Sequence, residues 1–65
     1  MYRNVIDLGH TTLDTYIVNY IEKYISRNTN EWGIRVHKRN GRYFDLWYKS
    51  PDERNYYYNK IRKYL

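Results

Sequence analysis

The chain is 65 residues long, carries a net charge of +5 and lacks cysteine, and ten of its residues are tyrosines set among twelve Lys and Arg. That length admits one domain, residues 1–65, with a small core, and without cysteine neither a disulfide framework nor a thiolate metal site can brace it. No apolar run approaches the roughly 18 residues that cross a bilayer, and Met1 to Leu8 has neither signal-peptide nor lipidation character, so a cytoplasmic protein without membrane contact is expected.

In chain order, Tyr2 to Leu8 reads as a strand with Ile6 and Leu8 inward. Thr11 or Thr12 then opens a helix over about residues 12–28, because Thr11 followed by Asp14 can cap free backbone N–H groups. Leu13, Ile17, Tyr20, Ile21 and Tyr24 recur along it at helical spacing. Tyr16, Val18 and Ile25 flank that face, so the apolar arc is wide enough to serve as a homodimer seam. The polar run Arg27 to Asn30 ends this helix.

Trp32 to Lys38 and Arg42 to Lys49 alternate with period two around Asn40-Gly41, the signature of a β-hairpin over about residues 32–49. A two-residue turn would group Trp32, Ile34, Val36, Tyr43 and Trp47. A three-residue loop with a glycine bulge instead unites Ile34, Val36, Phe44, Leu46 and Tyr48, leaving Arg35, His37, Tyr43, Asp45 and Trp47 on the other face. The second register sorts the residues more cleanly and is preferred. A second amphipathic helix follows at about residues 51–64, with Ser50 as N-cap, Pro51 at the first position and Glu53 completing a capping box. It turns Tyr57, Tyr58, Ile61, Tyr64 and Leu65 inward, with Arg54 among them, and strands Tyr56 on the far side with Lys60 and Lys63.

The order strand, helix, strand, strand, helix defines a small α+β domain that resembles a ferredoxin-like or RRM-like plait lacking its last strand. If the first segment stays unpaired, the alternative is a hairpin between two helices. Arg42-Tyr43-Phe44-Asp45-Leu46-Trp47-Tyr48 resembles the third strand of RRM domains, and that resemblance implies aromatics presented for base stacking. The chain also contains no Ala and no Gln and is rich in Asn, Ile, Lys and Tyr. In this it resembles small tyrosine-rich accessory proteins of bacteriophages and archaeal viruses.

Two basic-aromatic patches are candidate binding sites. The first comprises Arg35, His37, Tyr43 and Trp47 on the hairpin, flanked by Arg39, Arg42 and Lys49, where rings would stack on bases and cations neutralise phosphates. The second is the stripe of Tyr56, Lys60 and Lys63. His10 and His37 are the only imidazoles, and no metal-ligand spacing, phosphate loop or nucleophile signature is present, so a non-enzymatic, cofactor-free protein is expected. The strongest catalytic grouping on offer is His37 with Asp45, Glu31 and Arg35. The expected function is a regulatory binding protein, virus or mobile-element encoded, contacting nucleic acid or a nucleoprotein through the hairpin face. The alternative is a stoichiometric inhibitor that binds an acidic surface of a host defence or nucleic-acid-processing enzyme.

Overall fold

Alternation with a period of two governs nearly the whole chain before its C-terminal helix. The computed structural model describes residues 4–65, so Tyr2, placed at the start of the first strand by its sequence, lies outside the described residues. Strands β1 (Val5–Asp7) and β2 (Thr12–Asp14) form a two-stranded antiparallel sheet in which Ile6 sits opposite Leu13. Strands β3 (Val18–Ser26), β4 (Glu31–Lys38) and β5 (Tyr43–Tyr48) form a three-stranded antiparallel meander. Helix α1 (Pro51–Arg62) packs across one face of the meander. The result is an α+β protein with two sheets and a single C-terminal helix among the described residues. No helix among them is long and apolar enough to cross a membrane.

The helix expected over 12–28 is not formed, and with it goes the RRM-like plait and the helical dimer seam. Its stretch is instead β2, a 3-10 turn at Thr15–Ile17, and β3. The reason lies in composition: Tyr16-Ile17-Val18, Tyr20-Ile21 and Tyr24-Ile25 are aromatic and β-branched, which favours a pleated surface over a helix. Asp14 does act as a cap, its carboxylate accepting from the Tyr16 amide at 3.0 Å, but what it caps is the short turn. A register shift between Val18 and Tyr20 then brings Ile21 to the helix side of the sheet. Residues 27–30, expected to end a helix, form the β3–β4 turn, with Asn30 at φ 53°, a conformation that Asn tolerates better than most residues.

The hairpin takes the glycine-bulge register. His37 pairs with Tyr43, Arg35 with Asp45 and Gly33 with Trp47. Gly41 adopts φ 89° and its amide donates to the Lys38 carbonyl at 3.1 Å, closing the loop as a left-handed bulge residue should. Ile34, Val36, Leu46 and Tyr48 therefore face the core, where they meet Ile61 of α1 and Ile6, Leu8, Leu13 and Val18 of the N-terminal half.

Helix α1 starts as its sequence dictates, with the Ser50 hydroxyl accepting from the Glu53 amide at 3.2 Å. It ends at Arg62, so Tyr64 and Leu65, expected inward, lie beyond it and are exposed. The N-terminal segment is fastened at two points: the Tyr48 hydroxyl donates to the Leu8 carbonyl at 3.0 Å, and the His10 ring reaches the Trp47 carbonyl at 3.2 Å.

Burial holds the Tyr48 phenol neutral, and Tyr57, Glu53 and Asp7 add to this, so its pKa lies above the ordinary tyrosine value. A proton bound more tightly in the folded state stabilises that state fully below the unfolded pKa of about 10, and this stabilisation is lost as pH rises beyond it. Tyr48→Phe should lower stability by about 1–2 kcal/mol at neutral pH, because the buried Leu8 carbonyl loses its donor. In urea unfolding, the variant should also lose less stability than the parent as pH is raised above about 10. Parallel alkaline losses in the two proteins would contradict the assignment.

Candidate binding face

With α1 on one side, the other face of the meander is open. Period-two alternation puts Tyr20, Glu22 and Tyr24 of β3 there, beside Gly33, Arg35 and His37 of β4 and Tyr43, Asp45 and Trp47 of β5. Four of the residues singled out from the sequence, Arg35, His37, Tyr43 and Trp47, are thus brought together. Tyr20 and Tyr24, expected to be structural, belong to the same face and are 49% and 42% exposed, while Tyr43 is 55% exposed. Trp47 is half-buried.

Arg35 is the centre of this array. Its Nε and Nη2 donate to the two Asp45 carboxylate oxygens at 2.9 and 3.1 Å, a bidentate pair. The guanidinium carbon lies 4.1 Å from the Tyr24 ring centroid and 4.3 Å from that of Tyr43, so the cation is sandwiched between two aromatic faces. The hydrogen bond to Asp45 holds the Arg35 pKa above its ordinary value. On the hairpin-tip side, Tyr20 stacks on His37 with centroids 4.1 Å apart, and His37 leans on Tyr43 at 5.9 Å. His37 Nε2 also bonds the Glu22 carboxylate.

At the far end, Trp47 meets Tyr24 edge-on and lies against Gly33, where a Cβ would come within 2.7 Å of the indole. Gly33 is the seat of Trp47: a backbone without a side chain lets the indole lie down on the sheet. Tyr20, His37, Tyr43, Arg35, Tyr24 and Trp47 thus form one continuous series of stacked, tilted and edge-on contacts across three strands.

The faces of Tyr24 and Tyr43 are turned toward Arg35, and that of Tyr20 toward His37, so the rings stand on edge and offer solvent their rims and hydroxyl ends. One face each of Tyr20, Tyr24 and Tyr43 is thus taken up within the ladder. Arg35 is bonded to Asp45 and packed on two rings, which makes it the organiser of the face.

The flanking cations sit at the ends of the face. Arg39 and Arg42 are exposed at the hairpin tip, where the Arg39 Nε donates to the Tyr16 carbonyl at 2.7 Å. Lys49 is exposed where β5 ends. Tyr56 is 61% exposed and, with Lys60 and Lys63, lines a shallow cavity on the helix, away from the open face. The grouping of His37 with Asp45 and Glu31 is not assembled: Asp45 is held by Arg35, and Glu31 pairs with Ser26 at the other end of β4.

Tyr20, Glu22 and Tyr24 were hidden by a helical reading of their segment. The signal that would have found them is Glu22 between two tyrosines at spacing two, facing an Arg35 and His37 at the same spacing. No protein family, curated protein or solved structure matches the chain.

If Arg35 braces the face, Arg35→Lys should fail as Arg35→Ala does, since an ammonium keeps the charge but neither the plane nor the fork. In NMR spectra, both variants should move the Tyr24 and Tyr43 ring resonances toward free-tyrosine positions while core methyl resonances of Ile34 and Ile61 stay in place. Unmoved tyrosine resonances would contradict this role.

Proposed function

We propose that the protein is a non-enzymatic regulatory DNA-binding protein that docks the open face of its sheet on a duplex. The observation that carries this reading is the self-stacked ladder with basic residues at the hairpin tip. Sequence-specific recognition of single-stranded RNA relies on splayed bases stacking on free aromatic faces, and here one face each of Tyr20, Tyr24 and Tyr43 is used within the ladder. Rims, hydroxyls and the Glu22 carboxylate suit hydrogen bonding to base edges and backbone oxygens instead. Three strands at about 4.8 Å spacing span about 10 Å between outer axes, comparable with the roughly 12 Å major groove of B-DNA. The A-form RNA major groove is too deep and narrow to admit them. Arg39 and Arg42 at the tip, with Lys49 at the other end, are the phosphate contacts of this reading. A composition like that of small viral accessory proteins fits a regulatory role.

A second reading, a stoichiometric inhibitor of a host enzyme, is favoured by one observation. At the middle of the face the Arg35 charge is neutralised by Asp45 and the Glu22 carboxylate is bonded to His37, and interface cores are depleted of net charge and enriched in Tyr, Trp and Arg.

Fluorescence anisotropy with labelled duplex DNA, single-stranded DNA and RNA over a salt series separates the two. Duplex DNA should bind tightest and weaken steeply with salt. Arg42→Ala should weaken binding uniformly across sequences and reduce the salt slope by about one phosphate contact, and Tyr43→Ala should lose discrimination between sequences. Absence of duplex binding at low salt sinks the DNA reading. Equimolar capture of a single host protein after nuclease treatment would then support the inhibitor.

A further inference from the structure

On the opposite side of the sheet from the ladder, Arg54 is only 6% exposed, yet its charge has no carboxylate partner. Its Nη1 donates to the Tyr24 and Gly33 carbonyls at 3.2 and 3.1 Å, and its Nε donates to the Asn55 side-chain oxygen at 2.8 Å. The guanidinium also lies 5.5 Å from the Trp32 ring centroid. These oxygens are neutral, so the buried charge is solvated by dipoles but not neutralised. Nη2 has no hydrogen-bond partner among the described residues, and since none of their fully buried side-chain nitrogens is unpaired, it retains some contact with solvent.

Arg54 also lines a cavity of about 440 Å³, together with Lys23, Tyr24, Ile25 and Arg27. Among the described residues, the side chains bonded to a carboxylate are Arg35, to Asp45, and His37, to Glu22, so the three cations of this cavity have no acidic neighbour within bonding distance. Lys23 is held in position by the Tyr58 ring, 5.0 Å from its ammonium. Three cationic side chains, one from β3, one from the β3–β4 turn and one from α1, therefore line the same open space, the innermost of them anchored by its carbonyl partners.

We propose that this cavity is a phosphate-binding site that takes a phosphate monoester. The inference is independent of the DNA reading, since it uses the other side of the sheet. A carboxylate is planar, carries one charge and is satisfied by a single guanidinium fork. A phosphate monoester carries nearly two negative charges and three oxygens in a tetrahedral arrangement, which matches three cations approaching from different directions. Ile25, whose side chain is on the helix side of β3, provides an apolar contact for the organic part of such a ligand, and Tyr24 borders the cavity through its backbone. Arg54 holds the phosphate from below, and Lys23 and Arg27 close over it.

The test is an NMR titration of the intact protein with inorganic phosphate, a nucleoside 5′-monophosphate, acetate and chloride at matched ionic strength. Both phosphates should shift the Lys23 to Ile25 amides and the Arg54 side-chain N–H resonances saturably. A tighter fit for the monophosphate assigns the ester, and equal binding of inorganic phosphate assigns free phosphate as the ligand. Because Arg54 is part of the core, the variant used is Lys23→Ala with Arg27→Ala, both at exposed positions. It should keep its fold and bind phosphate at least about tenfold more weakly. Saturation by acetate at the same concentrations, or unchanged affinity in the double variant, would overturn the proposal. Neither result bears on DNA binding by the ladder.

Discussion

One helix can cover only one face of a three-stranded sheet, and everything on the other face has to be held by its neighbours on the sheet. Here α1 takes the side carrying Ile34, Val36, Leu46 and Tyr48, which leaves large planar side chains in water. The arrangement that keeps them in order is Arg35, clamped by Asp45 and packed between Tyr24 and Tyr43. The contact joins all three strands, because each strand contributes at least one of these groups. Trp47 resting against Gly33 and His37 stacked on Tyr20 extend the same bracing to both ends.

Such bracing has a functional consequence. Side chains already restricted by their neighbours lose little conformational freedom on binding, so a partner meets a surface whose ordering cost is small. The same contacts limit the chemistry, since ring faces used internally are not available to a ligand. A basic, tyrosine-rich composition by itself would fit stacked bases equally well. Contact through rims and hydroxyls is proposed on the direction of the rings.

Local chemistry with a single solution was legible in the sequence. Ser50-Pro51 with Glu53 admits one helix start, and Asn40-Gly41 between two alternating runs admits a hairpin whose cleaner register is the one formed. Residues 18–26 were not legible, because Ile17, Tyr20, Ile21 and Tyr24 satisfy helical spacing while their β-branched and aromatic character favours a strand. The decision rests on tertiary pairing: Glu22 opposite Arg35 and Ile21 opposite Val36 are gained only by the strand. Half of the binding face followed from that choice, which is why Tyr43 and Trp47 could be placed outward and Tyr20 and Tyr24 could not. Arg54 was recognisable as an oddity among apolar helix positions, but its carbonyl partners come from β3 and β4 and could not be anticipated without the meander.

The central claim is that the open face of the meander, and not the exposed side of α1, is the surface on which this protein binds. Chemical-shift mapping of the isotope-labelled protein with a short DNA duplex addresses it most directly. Shifts should concentrate on Tyr20, Glu22, Tyr24, His37, Tyr43 and the Trp47 indole, and continue onto Arg39 and Arg42 at the hairpin tip. Shifts confined to Tyr56, Lys60 and Lys63, with the ladder resonances unmoved, would contradict it.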